Sequence, residues 1–541
     1  MVADRRVRSF DLSRRGVIGS AAALAACGPT GGMPGSLGGA DMARGHLLRD
    51  AFGDAVPAET RRTGIAILGG GIAGLAAAWT LAEAGYRDFR LLELEDRSGG
   101  NARSGRNAIT AYPLGAHYLP IPNVEAVGVR HLLDRLGVIT GWQGSTPVFD
   151  PYQLVGDPDE RLLRLGRWQE GLVPTLALAK TDHDQIERFF AAMASFRDAR
   201  GSDGRPAFAI PMALSSRDPT LLALDGQSWT AWLDRHGYTS AELRAHIRYV
   251  CRDEYGTEPG DVSAWTGIHY FAGRRGDAVG DGDAVLTWPG GTGHLAEAMA
   301  ARVAGHVDTG HVVGRVRRRG DGVSIDALDA IRRRRVRIEA DAAIIAMPRF
   351  VAAHVVEGWE GSADGFSYAP WIVANVSVDR LPGGPGAALA WDNVSATSNS
   401  LGYVVATHQG LASVGGASVL TWYLPLSEMA PARARALMQA RPLADWQRIV
   451  HDDLMAMNPD LDGAISRIDV WRWGHAMVRP VPGFMWGQAR QAAARFAPPL
   501  FAAHSDLSGI SIFEEAHYRG TLAAEAAMRE AGFAHHSLLA A

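Results

Sequence analysis

Residues 63–74 read TGIAILGGGIAG, an apolar run that leads directly into a glycine-rich turn with the spacing G-x-G-x-x-G. The apolar run Thr63–Leu68 predicts a buried parallel strand, and the alanine- and leucine-rich run Leu75–Ala84 predicts a helix. A strand, this turn and a helix in that order are typical of a unit that binds a dinucleotide. The sequence therefore predicts an α/β fold with a phosphate-binding turn at residues 69–74.

Each glycine of the turn has its own physical role. Gly69 permits the tight turn, Gly71 lets the backbone approach a pyrophosphate, and Gly74 lets the helix pack against the strand. Ile72 and Ala73 open the helix, where free backbone N–H groups and the helix dipole favour a phosphate. We therefore expect these five residues to form one wall of a cofactor site.

A carboxylate follows the turn at the distance that such a unit requires. The apolar run Phe89–Leu92 predicts a second strand, and it ends at Glu93, which is placed to accept a hydrogen bond from a ribose hydroxyl. The separation between Gly74 and Glu93 is close to the expected ~20 residues. Strand, turn, helix and acid together predict dinucleotide binding far more specifically than the turn alone.

The composition sets the broad class of protein. With 541 residues, 47% hydrophobic and 21% charged, the chain fits a soluble globular protein of two or more domains. The formal net charge of −4 gives no electrostatic reason to expect a nucleic acid as partner. The basic run Arg332–Arg335 lies in a strand-like stretch and is interpreted as a solvated sheet edge. No motif predicts a metal site.

The first 27 residues are similar to a twin-arginine export signal. Arg14 and Arg15 precede a short apolar stretch, Val17–Ala26, which is shorter than the ~20 apolar residues that span a bilayer. Residues 24–27 also resemble a lipobox, in which Cys27 would receive a lipid; the alternative is an ordinary cleavable signal with a chance cysteine. The signal predicts export of the folded protein by the twin-arginine machinery. The expected location is the periplasm, or the membrane as a lipoprotein that faces the periplasm.

The remaining chain divides into alternating segments. Residues 28–60, rich in glycine, proline and alanine, are predicted to be a linker. A Rossmann-like nucleotide-binding domain is predicted from three discontinuous segments, 61–150, 286–349 and 481–541. A mixed α+β substrate domain is predicted from the interleaved segments 151–285 and 350–480.

Four separated motifs resemble the flavin-containing amine oxidase superfamily. They are the opening turn, the stretch from Glu93 through Gly99, Gly100 and Asn101 with the following Gly115 and Ala116, the segment Pro289–Pro348 with Val313, and the closing stretch Phe501–Gly520. The resemblance implies non-covalent FAD, because no cysteine lies near the C-terminus to bind the flavin. It also implies that Val313 contacts the adenine through its backbone, and that Asp506, Phe513 and Glu514 contribute to the cofactor site.

Three positions depart from the pattern of this superfamily. The closing strand ends in Ala503-His504 where a glycine and an acid are usual, and Glu515 replaces a glycine. Many members have a lysine beside the flavin on the strand that matches Ile372–Val378, where this chain has Ala374 and Asn375. The missing lysine leaves open whether oxygen, a quinone or another acceptor reoxidises the flavin.

The resemblance implies that a C–H bond next to an amine nitrogen gives hydride to the flavin. Aromatic residues are the expected substrate walls, and no catalytic base is assigned. The candidates, each of which could instead be a core residue, are Phe513, Trp473, His117, Tyr403, Trp422 and His475. The alternatives are a flavin-dependent desaturase or isomerase of an apolar substrate, and an anchored flavin-binding protein without turnover. Carboxylates in the pocket would favour polyamines, and an all-apolar pocket would favour the desaturase or isomerase.

Overall fold

A computed structural model describes residues 32–50, 56–359, 365–410, 416–495 and 497–540. The predicted signal peptide, with Cys27, lies outside the described residues. The strands are β1 (Leu37–Gly39), β2 (Glu59–Leu68), β3 (Phe89–Leu92), β4 (Ser104–Arg106), β5 (Ala111–Pro113), β6 (Tyr118–Pro120), β7 (Ile139–Gln143), β8 (Thr146–Phe149), β9 (Glu160–Arg164), β10 (Arg167–Glu170), β11 (Val285–Thr287), β12 (Val307–Asp308), β13 (His311–Arg319), β14 (Gly322–Asp329), β15 (Arg334–Ile345), β16 (Tyr368–Val378), β17 (Asp392–Ser395), β18 (Tyr403–Val405), β19 (Ser418–Pro425), β20 (Ile465–Val478) and β21 (Leu500–Ala502).

The α-helices connect and cover these strands. They are α1 (Met42–Asp50), α2 (Ile72–Glu83), α3 (Val127–Arg135), α4 (Lys180–Asp198), α5 (Pro219–Leu222), α6 (Trp229–Arg235), α7 (Ala241–Tyr255), α8 (Ala264–Gly273), α9 (Gly293–Arg302), α10 (Arg349–Val355), α11 (Pro431–Ala440), α12 (Leu443–Met457), α13 (Gln488–Ala493) and α14 (Phe513–Glu530). None of the helices in the described ranges is long and apolar enough to cross a membrane.

The first large sheet has the strand order β12-β3-β2-β15-β14-β13, and β21 pairs with β15 beside it. The pairings among β12, β3, β2, β15 and β21 are parallel. Strand β14 pairs antiparallel with both β15 and β13. Helices α2 and α14 pack so closely against each other that a Cβ on Gly520 would lie 2.0 Å from the Ala73 carbonyl oxygen. This sheet confirms the predicted Rossmann-like α/β architecture and brings three distant stretches of sequence to one edge.

The basic run at residues 332–335 corrects the expectation of a sheet edge. Arg332 and Arg333 lie in the tight connection from β14 to β15, and Arg334 and Arg335 begin β15, which pairs with β2 and β14 on its two sides. Glu59 and Asp329 form ion pairs with Arg334 and Arg332, which offset the repulsion between the arginines. The strand is therefore interior, and its arginines are placed at its end.

The second large sheet has the order β1-β20-β16-β19-β18-β17-β9-β10. Every residue of β16 is buried, because one face packs on helices α11 and α12 and the other faces the functional pocket described below. Helices α4 to α8 form a separate aromatic-rich cluster around Phe189, Trp229 and Trp265. The exact domain boundaries stay predictions, but each sheet draws its strands from the segments assigned to it, except for β1 and the start of β2.

The predicted linker contains regular structure, which corrects part of that prediction. Strand β1 pairs in parallel with β20, with Leu37 opposite Val470 and Gly39 opposite Arg472. The glycines in this stretch predicted flexibility, but in the structure Gly38 allows the backbone to pack closely against another strand. A Cβ on Gly38 would lie 2.4 Å from the ring of Trp471, so only glycine fits at this contact.

Candidate active site and cofactor cleft

The glycine turn has the geometry that phosphate binding needs. Gly69 has a φ of +112°, and a Cβ on Gly74 would lie 1.8 Å from the Gly69 carbonyl oxygen. Helix α2 begins directly after Gly71, and no described side chain caps its N-terminus. Because the first N–H groups of a helix lack partners within the helix, this end is free to bind a phosphate.

Glu93 lies at the base of the turn and is held by backbone donors. Its Oε2 atom accepts a hydrogen bond from Gly70 N at 2.6 Å, and its Oε1 atom accepts one from Glu95 N at 2.8 Å. Burial raises the pKa of Glu93, while these two N–H donors act to lower it. The carboxylate is fixed in the wall of the cleft, where its remaining lone pairs can accept from ribose hydroxyls.

A cleft of about 1520 Å³ runs from this turn to the start of α14. Most of the predicted cofactor residues line it: Gly69, Gly71, Ile72, Ala73, Glu93, Gly99, Gly100, Asn101, Ala116, Val313, Asp506 and Phe513. Gly74 is buried behind the turn, and Gly115 and Glu514 line a second pocket beside the cleft. Successive residues of a helix point about 100° apart, so Phe513 reaches the cleft while the Glu514 side chain lines the second pocket, and a contact of Glu514 with the cofactor stays a prediction.

An orphaned buried atom tests whether the cleft fits a nucleotide. His311 is 4% exposed and lines the cleft beside Val313, and no described residue forms a hydrogen bond with its Nε2 atom. A buried polar atom without a partner costs free energy unless a ligand satisfies it. The uncapped end of α2, the fixed Glu93 carboxylate and His311 together fit the phosphates and ribose of a dinucleotide.

The closing motif is held in place by Asp506. Its Oδ2 atom accepts from Arg349 N at 2.9 Å and from the Tyr368 hydroxyl at 2.7 Å, and its backbone N–H donates to His504 Nδ1 at 3.1 Å. His504 and Ser505 line the cleft, but Ser508 is fully buried behind it. Asp506 thus positions His504, which stands where the superfamily usually has an acid.

A second pocket of about 850 Å³ opens onto the cleft, and the two share residues that include Asn101, Ala116, Trp473 and Phe513. Its walls are largely aromatic: His117, Tyr118, Trp371, Tyr423, Trp473 and Phe513. Hydrogen bonds fix two of these rings, since Trp473 Nε1 donates to Leu114 O at 2.6 Å and the Tyr423 hydroxyl donates to Gly115 O at 3.1 Å. The His117 ring lies 4.6 Å from that of Tyr423, and burial lowers the pKa of His117 to about 4.

Three carboxylates and one guanidinium complete this pocket. Glu254 and Arg274 form an ion pair at 2.8 Å, and Arg274 lies 3.7 Å from Glu514. No described residue forms an ion pair with Asp253. Burial, together with the charges of the neighbouring Glu254 and Glu160 carboxylates, raises the pKa of Asp253 to about 7. Burial also raises the pKa of Glu514 to about 7. The pocket therefore has an excess of acidic groups and suits a cationic ligand.

Comparison with known proteins identifies the family. The family model for flavin containing amine oxidoreductases matches residues 72–419. The chain belongs to this family. AofH of Mycobacterium tuberculosis, described as a flavin-containing monoamine oxidase, is 27% identical over 276 residues, which cover 48% of this chain and 53% of AofH. The chain thus spans about half the length of this curated relative.

Solved structures share the fold. A cofactor-binding variant of putrescine oxidase has a TM-score of 0.66 at 16% identity over 87% of this chain and 100% of its own. Cyclohexylamine oxidase from Brevibacterium oxydans has a TM-score of 0.62 at 17% identity over 87% and 99%. A fatty acid isomerase from P. acnes has a TM-score of 0.57 at 16% identity over 85% and 97%. At these identities the likeness concerns the fold alone.

Family membership and the cleft agree on the cofactor. Flavin amine oxidoreductases bind FAD, and the non-covalent mode predicted from the sequence fits the described cysteine. Cys251 is fully buried in the helical cluster of α7 and does not line the cleft. Non-covalently bound FAD is therefore the cofactor of this family member, and the turn, Glu93 and the start of α14 are the parts of the cleft that would hold it.

Many amine oxidoreductases of this family have a lysine beside the flavin. In this chain the corresponding strand, β16, has no lysine. Trp371 and Val373 of β16 line the pocket, whereas Ala374 packs on the opposite face and the Asn375 amide oxygen accepts from the Thr421 hydroxyl. Val373 thus occupies the pocket side of this strand. Lys180, the single lysine of the chain, is exposed at the start of α4 and pairs with Asp184.

Among the predicted aromatic walls, Phe513, Trp473 and His117 line the pocket, but Tyr403 and Trp422 do not. The Tyr403 hydroxyl donates to Asn458 Oδ1 at 2.7 Å, and Trp422 Nε1 donates to Asp453 at 2.7 Å, so both rings are core residues. His475 lines the cofactor cleft. For Tyr403 this corrects the prediction, because alternate residues of β18 and β19 face opposite sides of the sheet.

Sequence reasoning missed Asp253, Glu254 and Tyr423. The signal that could have found Asp253 and Glu254 is a pair of acids in the last turn of an amphipathic helix, which ends at Tyr255 before Gly256 in the left-handed conformation. Acids at a helix C-terminus oppose the helix dipole, so a pair of them there suggests a functional reason.

Proposed function

We propose that the chain oxidises an amine with FAD, acting on the C–H bond next to the nitrogen. FAD supplies the acceptor for the hydride. Overall the amine loses two electrons and two protons, and water converts the resulting imine to a carbonyl compound and ammonia or a smaller amine. The observation that carries the proposal is an aromatic pocket, open to the cofactor cleft, in which acidic groups outnumber basic ones.

The chain's own residues bind and orient the substrate. Asp253 has no ion-pair partner among the described residues, so its carboxylate is available to an ammonium group. The charge of Arg274 is shared between Glu254 and Glu514, which leaves it little attraction for an anionic substrate. Aromatic faces attract cations and exclude water. The rings of Trp473 and Tyr423 therefore confine the amine between the carboxylates and the cleft.

A second acidic group supports a substrate with two cationic centres. Asp392 and Glu160 are paired residues on β17 and β9, and the Asp392 Oδ2 atom accepts from the Tyr249 hydroxyl at 3.2 Å. Burial raises the pKa of Asp392, and the charges of Glu160 and Asp253 raise it further. Because these carboxylates repel one another, a second ammonium group would relieve the repulsion. A diamine or polyamine is the substrate that this arrangement favours.

Turnover assays on the purified protein test the proposal. The expected result is reduction of an electron acceptor, oxygen or a quinone, together with release of an aldehyde when a diamine is added. With Val373 in place of a lysine and acidic groups around it, the pocket disfavours formation of an oxygen anion, so we expect the quinone to be the better acceptor. Absence of any amine-dependent acceptor reduction would overturn the proposal.

Isomerisation of an apolar substrate is the alternative function. It is supported by the fold that the chain shares with the fatty acid isomerase. Among the described residues that line the pocket, Arg274 is the guanidinium that could pair with a carboxylate substrate, but two glutamates already neutralise it. If an unsaturated fatty acid undergoes a double-bond shift without reduction of an acceptor, the alternative is correct. Bound flavin with neither reaction would indicate a protein without turnover.

Activity should depend on pH through the pocket carboxylates. Asp253 and Glu514 have pKa values raised to about 7, so both are neutral at low pH and charged at high pH. An aliphatic amine stays protonated across this range, so its attraction to the pocket is present above pH 7 and lost below it. We expect kcat/KM to fall by up to roughly tenfold per pH unit below 7. A profile with the same step in the variant Asp253→Asn would contradict the assignment to Asp253.

We further propose that the protein acts outside the cytoplasm, after export through the twin-arginine machinery. Arg14, Arg15 and the apolar stretch that follows support this, as does the need to insert a cofactor before export. Changing both arginines to lysine should retain the flavoprotein in the cytoplasm, and Cys27→Ser should release it from membranes. An unchanged distribution between cell fractions in the arginine variant would contradict export by this route.

A further inference from the structure

The N-terminal strap, residues 33–48, crosses from the second sheet to the cofactor cleft. One end is anchored on β20, where Gln447 Nε2 donates to Met33 O at 2.9 Å and the Ser36 hydroxyl donates to Asp469 Oδ1 at 2.6 Å. Strand β1 continues this anchor by pairing with residues 470–472. The strap precedes residues 72–419, so it lies outside the part of the chain that the family model matches.

The other end of the strap is held by hydrogen bonds of Asp41 and Arg44 to residues 94–96, which we call the latch. Asp41 N donates to Glu95 Oε1 at 2.9 Å. Arg44 Nη1 donates to Leu94 O at 2.8 Å and to Asp96 Oδ1 at 2.8 Å. The contacts are few and lie at the surface, where a single ion pair contributes about 1 kcal/mol or less. The strap can therefore lift without unfolding the sheet beneath it.

Two strap residues form part of the cofactor cleft. Ala40 and Leu48 line it together with Glu93 and Val313. The Leu48 side chain also packs against the apolar cluster that contains Val313. Because Glu93 and Val313 are the residues expected at the ribose and adenine, the strap covers the adenosine end of the cleft.

We propose that the strap retains the cofactor: it closes over the adenosine end of FAD, and FAD dissociates only when the strap lifts. Glu95 connects the latch to residues deeper in the site, because its Oε2 atom forms an ion pair with Arg103 Nη1 at 3.4 Å. The Arg103 guanidinium in turn lies 5.5 Å from the ring centroid of Trp473, which borders both the cleft and the substrate pocket. This retention is independent of the substrate, so its test stands apart from the proposed amine oxidation.

The rate of FAD release from the full-length holoprotein tests the latch. Arg44→Ala removes the hydrogen bonds to Leu94 and Asp96, and we expect dissociation to become roughly fivefold faster, as released-flavin fluorescence would show. Asp96→Asn breaks the same pair from the other side and should also accelerate release. The control Arg448→Ala removes a comparable surface ion pair with Asp445, distant from the cleft, and should leave the rate unchanged. Rates within twofold of wild type in both latch variants overturn the proposal.

Proteolysis of the unaltered protein provides a second, reciprocal measurement. If closure of the strap and binding of FAD are coupled, bound FAD must hold the strap closed to the same extent that the strap holds FAD. Trypsin should then cut after Arg44 several times more slowly in the FAD-loaded protein than after FAD has been removed. Equal rates of cleavage at Arg44 with and without FAD, measured by mass spectrometry, would contradict the coupling even if a latch variant failed to fold.

Discussion

Gly74→Ala is expected to yield a folded protein that no longer retains FAD. The new Cβ atom would lie 1.8 Å from the Gly69 carbonyl oxygen, a distance at which backbone must move. The movement displaces the turn and the uncapped start of α2, the two features that face the phosphates. Overpacking of this kind costs about 1–3 kcal/mol, so FAD affinity should fall by roughly 5- to 150-fold. Flavin absorbance of the purified protein and fluorescence titration with FAD measure the effect.

A matched control separates this effect from the general cost of replacing a glycine. Gly141 lies in β7, and a Cβ there would meet no atom within 4 Å. Gly141→Ala should therefore bind FAD as the wild type does, and circular dichroism should show intact secondary structure in both variants. Normal FAD affinity in Gly74→Ala would refute the role of this turn.

Asp253→Asn is expected to reduce kcat/KM for a diamine about 100-fold while leaving FAD bound. The substitution keeps the shape of the side chain but removes the one pocket carboxylate that has no ion-pair partner among the described residues. Truncating one partner of a buried charge pair costs about 2–5 kcal/mol, which corresponds to a decrease in kcat/KM of roughly 30-fold or more. The loss should appear mainly in KM, because the carboxylate binds the ammonium group. Steady-state kinetics with a diamine measure it.

The control for this substitution is Glu187→Gln, which removes an exposed carboxylate from helix α4 without touching the pocket. Its kcat/KM should equal that of the wild type. If Asp253→Asn changes kcat/KM by less than about threefold, the ammonium group does not bind at Asp253.

The cofactor half of the molecule could be predicted because its signal is local. In residues 63–93 the strand, turn, helix and acid lie close together in sequence, and each has a fixed physical task. Local rules failed where packing decided the outcome. The glycines of residues 35–39 resembled a flexible linker, yet Gly38 is required by the ring of Trp471. A glycine in the sequence therefore does not show whether the backbone is flexible there or packs closely against another side chain.

The substrate half was less predictable because its residues are brought together only by the fold. Asp253 comes from α7, Tyr423 from β19 and Glu514 from α14, and no spacing rule connects them. Tyr403 and Trp422 are aromatic residues on neighbouring strands of the same sheet, but both are buried in its core. Which aromatic residues face the pocket depends on strand register, which composition does not reveal.

Anaerobic reduction of the bound flavin tests the central claim most directly. The purified holoprotein is mixed, without oxygen, with a diamine in one experiment and with an unsaturated fatty acid in another, at a pH above 7. Oxidation of an amine in an acidic aromatic pocket predicts that the absorbance of the oxidised flavin disappears with the diamine and persists with the fatty acid. Persistence of that absorbance with every amine and polyamine tested, in a protein that has bound FAD, would contradict the account.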